Sequence, residues 1–224
     1  MNPREFGSRV TGPLPRLVAI LLCISPVPSL AAPVPGFVLH FAAAGDLGGF
    51  AGGATLTNPG TGGFDGAGDG YLHVARSFAA QLGANNAGTE FGGNWLAAGV
   101  SRVEMKLNDV DADQDLEIHF CIGNLFNFWQ YDVGFVPPEN AWGTFEVDLT
   151  DSTHFTHIIS TDGGGFAKAL QSAERILLRH DRAPYTMAPD MIQGEFGLDE
   201  LKLLSSPPVS AESKTWGSIK SLYR

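Results

Sequence analysis

Val103-Glu104-Met105-Lys106-Leu107 alternates apolar with charged side chains. Successive residues of a strand point to opposite faces, so this stretch reads as a half-buried strand with one wet face. Two neighbours share the pattern. Leu116, Ile118, Phe120 and Ile122 are separated by Glu117, His119 and Cys121, and Phe145, Val147 and Leu149 by Glu146 and Asp148. Less regular strands are predicted over residues 37–41, 71–76, 128–133, 175–180 and 196–204. One helix is predicted from Phe166 to Glu174, after the Gly163-Gly164-Gly165 break, and a helical turn near Asp151. Short strands parted by turn residues, without alternating long helices, predict an all-β fold: an antiparallel β-sandwich or barrel with one or two short helices.

Outward from these strands the pattern fades. Residues 45–70 are rich in glycine and carry little periodic apolar signal, so they read as long loops joining the first strands. At the front, Arg4, Arg9 and Arg16 precede the apolar run Leu17–Ile24, followed by Pro26, Pro28 and Ser29-Leu30-Ala31-Ala32. That is the order of a secretory signal peptide, cut after Ala31 or Ala32. The apolar run is too short to span a bilayer, which takes about 20 residues. The expected organisation is a leader over 1–31, one domain over 32–204 and a tail over 205–224. The tail places Trp216, Ile219 and Tyr223 at helical spacing among basic residues, which suits a docking or sorting peptide.

Composition narrows the function. The 224 residues are 44% hydrophobic with a formal net charge of −10, which suits a folded domain and argues against a nucleic-acid binder. Once the leader is removed, Cys121 is the remaining cysteine, so no internal disulfide is expected. Asp109, Asp111, Asp113 and Asp115 alternate like a calcium loop, but Gln114 stands where an EF-hand needs glycine and Phe120 where it needs a bidentate acid. The stretch reads as a solvated turn. His154, His157 and His180 lack a zinc spacing. Glu146 to Asp151 resembles the active-site strand of retaining β-glucanases, with Asp151 in place of the second glutamate and on the opposite parity from Glu146.

Three blocks in order carry a wider resemblance: Gly92-Gly93-Asn94-Trp95-Leu96-Ala97-Ala98-Gly99-Val100, Trp142 to Thr150, and Glu174 to His180 followed by Gly197 to Leu203. Together they resemble secreted bacterial jelly rolls of the galactose-binding-like superfamily, in the laminin-B-like or carbohydrate-binding-module-like group. The resemblance implies an antiparallel jelly-roll β-sandwich, without catalytic residues, that binds an extracellular glycan or surface protein. It also implies a structural calcium ion between the first-strand loop and the last strand. Asp46 and Asp199 would be ligands, although Ala42 stands where such domains often carry an acid. Sugars stack on aromatic faces while polar neighbours bond their hydroxyls. Trp95, Trp129, Tyr131 and Asn127 are the candidate ligand contacts, with Trp142 and Asn124 also available. The competing expectations are a β-glucanase-type hydrolase using Glu146 and Asp151, and a structural surface or matrix protein displayed through the tail.

Overall fold

The structure, a computed structural model, describes residues 32–111 and 115–205. The predicted leader, the tail beyond Ser205 and the tip of the 109–115 turn lie outside the described residues.

The alternating segments pair into two antiparallel sheets of six strands each. The first sheet runs β3 (Thr55–Thr57), β4 (Leu72–Gln81), β12 (Met191–Leu204), β6 (Arg102–Asp111) and β9 (Gly143–Asp148), with β1 (Val38–Leu39) also on β12. The second runs β10 (Phe155–Ser160), β8 (Asn127–Tyr131), β7 (Ile118–Gly123), β11 (Arg175–His180), β5 (Gly83–Asn86) and β2 (Phe50–Ala51). The first and last described strands are neighbours, Val38 opposite Lys202. The predicted helix is α2 (Phe166–Gln171), and the predicted turn is a single 3-10 turn over Ser152–His154. Among the described residues, no helix is long and apolar enough to cross a membrane.

The core is the set of inward positions that the alternation picks out. Val103, Met105 and Leu107 of β6, Phe145 and Val147 of β9 and Phe196 and Leu198 of β12 face Ile118, Phe120 and Ile122 of β7 and Ile176 and Leu178 of β11. On the first sheet the other parity is wet: Arg102, Glu104, Glu146 and Lys202 form exposed or half-exposed pairs there.

The second sheet departs from expectation. Every residue of β7 is buried, including His119 and Cys121 on the parity expected to be wet. A second, smaller apolar cluster of Cys121, Phe128 and Ile158, joined by Ile159, Leu177 and Tyr185, covers that outer face. The segment from Asp181 to Asp190, which follows β11, supplies Tyr185 and closes over the strand. Cys121 is sealed by this cover, and burial pushes its thiol up to about 12. A thiol held protonated makes a poor nucleophile.

Candidate functional site

A densely wired polar group lies on this covered face. Arg179 of β11 is 3% exposed and donates in four directions. Nε donates to Gln130 Oε1 (2.6 Å), Nη2 to Asp181 Oδ2 (2.7 Å) and to the Thr186 carbonyl (2.6 Å), and Nη1 to the Met187 carbonyl (3.2 Å). Asp181, 2% exposed, also accepts from the backbone N–H groups of Arg182 and Asp190. One buried ion pair therefore ties both ends and the middle of the 181–190 segment to the sheet.

Around this anchor three polar atoms are sealed without a hydrogen-bond partner: Gln130 Nε2, Asp132 Oδ1 and His119 Nε2. Cys121 stands opposite Gln130 in the β7–β8 register, His119 lies on β7, and Asp132 directly follows β8. Gln130 is fully buried, and its oxygen is fixed by Arg179, which leaves the amide N–H donors free. Asp132 uses Oδ2 to accept from Thr156 (3.1 Å) and keeps Oδ1. His119 Nδ1 must donate to the Tyr131 carbonyl (2.8 Å), since a carbonyl only accepts, and Nε2 stands 3.3 Å from Glu117 Oε1, off the line of a hydrogen bond. Buried polar groups are nearly always paired with protein or ordered water, so a cluster of exceptions is where a partner is to be sought. Tyr185 lies across them. Its hydroxyl donates to the Asp132 carbonyl (3.1 Å), and its ring centroid is 4.9 Å from that of His119. Burial, then the charges of Glu117, Asp132 and Asp181, raise the phenol pKa, so it stays a donor.

The aromatic contacts predicted from sequence lie elsewhere. Trp95 opens the short α1 (Trp95–Ala98) and is 0% exposed, its indole donating to the Phe91 carbonyl (3.0 Å). It has no free face for a sugar. Trp129, Tyr131 and Asn127 share a face of β8, but it is the inner one. Trp129 stacks on His157 (4.2 Å, 7°), donates to Asn127 Oδ1 (2.7 Å) and meets Phe166 edge-on. Asn127 donates on to the Gly165 carbonyl, and Tyr131 packs on Phe155 and Phe145. These residues tie β10 and α2 to the sandwich. Of the three, Trp129 is half-buried, while Tyr131 and Asn127 are buried.

The implied calcium ligands are each engaged by backbone donors. The carboxylate of Asp46 is exposed and accepts from Gly48 N (2.9 Å). Asp199 is buried with Oδ2 accepting from Phe64 N (2.9 Å) and Oδ1 from Glu200 N (2.8 Å), and its neighbouring acid is Asp69. Among the described residues no three His, Cys, Asp or Glu side chains converge as metal ligands. Burial pushes the Asp199 carboxyl up to about 6, opposed by its two backbone donors and reinforced by Asp69. A carboxyl raised above its unfolded value of 3.8 weakens the fold at neutral pH, and that penalty fades as pH falls through about 6. Asp69→Asn removes the adjacent charge and keeps an acceptor for Asp65 N. Its melting temperature at pH 7.5 should exceed wild type by about 2–4 °C, and the gain should shrink towards pH 5. A variant equal to wild type at both pH values would show that the two acids do not interact.

The β-glucanase pair is not assembled either. Glu146 faces solvent beside Arg102 (3.6 Å) and opposite Glu104 on β6. Asp151 caps the 3-10 turn, accepting from the Thr153 hydroxyl and N–H, and these bonds hold its carboxyl below the usual range. A general acid needs the opposite shift.

No family model matches the chain, and no curated protein sequence matches it. Solved structures match in fold. The family 11 carbohydrate-binding module of a cellulosomal cellulase from Clostridium thermocellum is similar over 77% of this chain and 96% of its own, at 17% identity and a TM-score of 0.51. An exo-β-agarase is similar over 77% of this chain and 25% of its own, at 12% identity and a TM-score of 0.55. At such identities the likeness is one of fold, an antiparallel jelly-roll β-sandwich.

Proposed function

We propose that the chain is an exported, non-catalytic module that holds a glycan on the outer face of its second sheet. The observation that carries this reading is Gln130 Nε2, a donor fully buried, fixed in direction by Arg179 and left without a partner. Beside it stand an open carboxylate oxygen, Asp132 Oδ1, and an open imidazole nitrogen, His119 Nε2. A donor next to two acceptors suits a pair of neighbouring hydroxyls, the group that a sugar ring presents along its edge. Tyr185 is the ring available for stacking, and the reading requires that ring to leave His119 to admit a ligand. The names of the two similar structures, a carbohydrate-binding module and an agarase, support the ligand class. The signal-peptide pattern supports export.

The test is affinity electrophoresis of the chain from residue 32 onward in gels containing soluble β-glucans or agarose. At least one polysaccharide should retard it. Gln130→Glu keeps the oxygen that Arg179 needs and turns the free donor into an acceptor. It should weaken binding by about 10- to 100-fold while leaving the melt unchanged or slightly higher. Retardation by none of the polysaccharides, or a variant that binds as wild type does, would sink the assignment.

A further inference from the structure

Three backbone carbonyls from the loop after β1 converge on one atom. The side-chain nitrogen of Asn58 donates to the carbonyl oxygens of Phe41 (2.6 Å), Ala43 (2.9 Å) and Asp46 (2.8 Å). The orientation of the amide is not interchangeable, because Asn58 Oδ1 accepts from Gly60 N (2.8 Å). The Asn58 carbonyl in turn accepts from Gly45 N (3.0 Å), so backbone and side chain grip the same loop. Asn58 is 6% exposed. Gly70 closes the other side: a Cβ there would collide with the Phe41 carbonyl oxygen and with Asn58 Oδ1.

Carbonyl oxygens that converge repel one another and need positive charge between them. A calcium ion meets that need with oxygen ligands at roughly 2.3–2.6 Å. Here the spacing is that of N–H···O hydrogen bonds, and two amide hydrogens are shared among three acceptors. We infer that the Asn58 amide does the work of a cation in this loop, so that the fold's first turn is held without a metal. The inference does not depend on the glycan reading: it concerns a different loop and a different observable. It is consistent with Asp46 and Asp199 spending their carboxylates on backbone N–H groups, since a loop whose carbonyls are already satisfied has no use for an ion.

Thermal melts of the intact chain in millimolar calcium chloride and in excess EGTA test the idea directly. The two melting temperatures should agree within about 2 °C. Asn58→Asp preserves size and shape but turns the donor into a third-party acceptor facing three carbonyls. In EGTA it should melt about 5–10 °C below wild type. Should that variant fail to fold, wild type alone still decides. The Asn58 side-chain amide protons should then exchange with solvent far more slowly than those of exposed Asn140. A wild-type melt that falls by more than about 2 °C in EGTA, an Asn58→Asp variant as stable as wild type there, or Asn58 protons that exchange as fast as those of Asn140 would each overturn the inference.

Discussion

Asp181→Ala is expected to cost about 3–5 kcal/mol of folding stability, the largest single-site loss in the molecule outside its apolar core. The reason is what stays behind. Arg179 would remain 97% removed from solvent with its charge uncompensated, held only by the neutral oxygens of Gln130, Thr186 and Met187. The backbone N–H groups of Arg182 and Asp190 would lose their acceptor as well. For a domain of this size the melting temperature should drop by about 6–20 °C. The pair Lys168–Asp162, 2.9 Å apart but with the lysine 54% exposed, provides the contrast. Breaking it with Lys168→Ala should leave the urea midpoint almost where it is in wild type. Urea melts of both variants check the comparison. A loss below about 1 kcal/mol for Asp181→Ala would mean that water reaches Arg179 and that the 181–190 segment does not seal the sheet. Glycan affinity should fall with the same variant, because Tyr185 rides on that segment.

Trp95→Ala should be comparably severe, at about 3–5 kcal/mol. The indole is completely buried and fills the end of the sandwich under Phe91. Truncation opens a void, and the Phe91 carbonyl loses its donor. Trp95→Phe keeps most of the volume and should lose about half as much. Neither variant should alter polysaccharide binding under conditions where it remains folded. If Trp95→Phe abolished binding with an unchanged melt, the residue would be a ligand contact after all and its burial would be wrong.

The legibility of this chain varied with the distance over which information had to travel. β6 and β9 were readable because one face of each meets water, so alternation survives along them. The helix after Gly165 and the turn after Asp151 were readable from local breaks and caps. β10 was missed because a bulge between His157 and Ile159 puts two apolar residues side by side and erases the period. α1, a single turn capped by Asn94 and Gly99, is too short to show one. The polar parity of β7 looked wet, and only the fold could reveal that a segment some sixty residues further on covers it. The surroundings of the candidate side chains are hidden from the sequence for the same reason. Aromatic residues were an obvious signal, yet Trp95, Trp129 and Tyr131 serve packing. Arg179 and Asp181, two positions apart at the end of a strand, carry no local signal of their burial or pairing. Asn58 sat in a glycine-rich run with no pattern to mark it.

The segment over the second sheet is gripped through Asp181 at one end and through main-chain oxygens at Thr186 and Met187 in its middle, while the side chains of Pro184, Thr186 and Met187 point outward. A strap fastened in this manner is indifferent to much of its own lettering. The outward-facing residues there can be exchanged without loosening the buckle beneath, so the stretch tolerates sequence variation while the rest of the chain is left untouched.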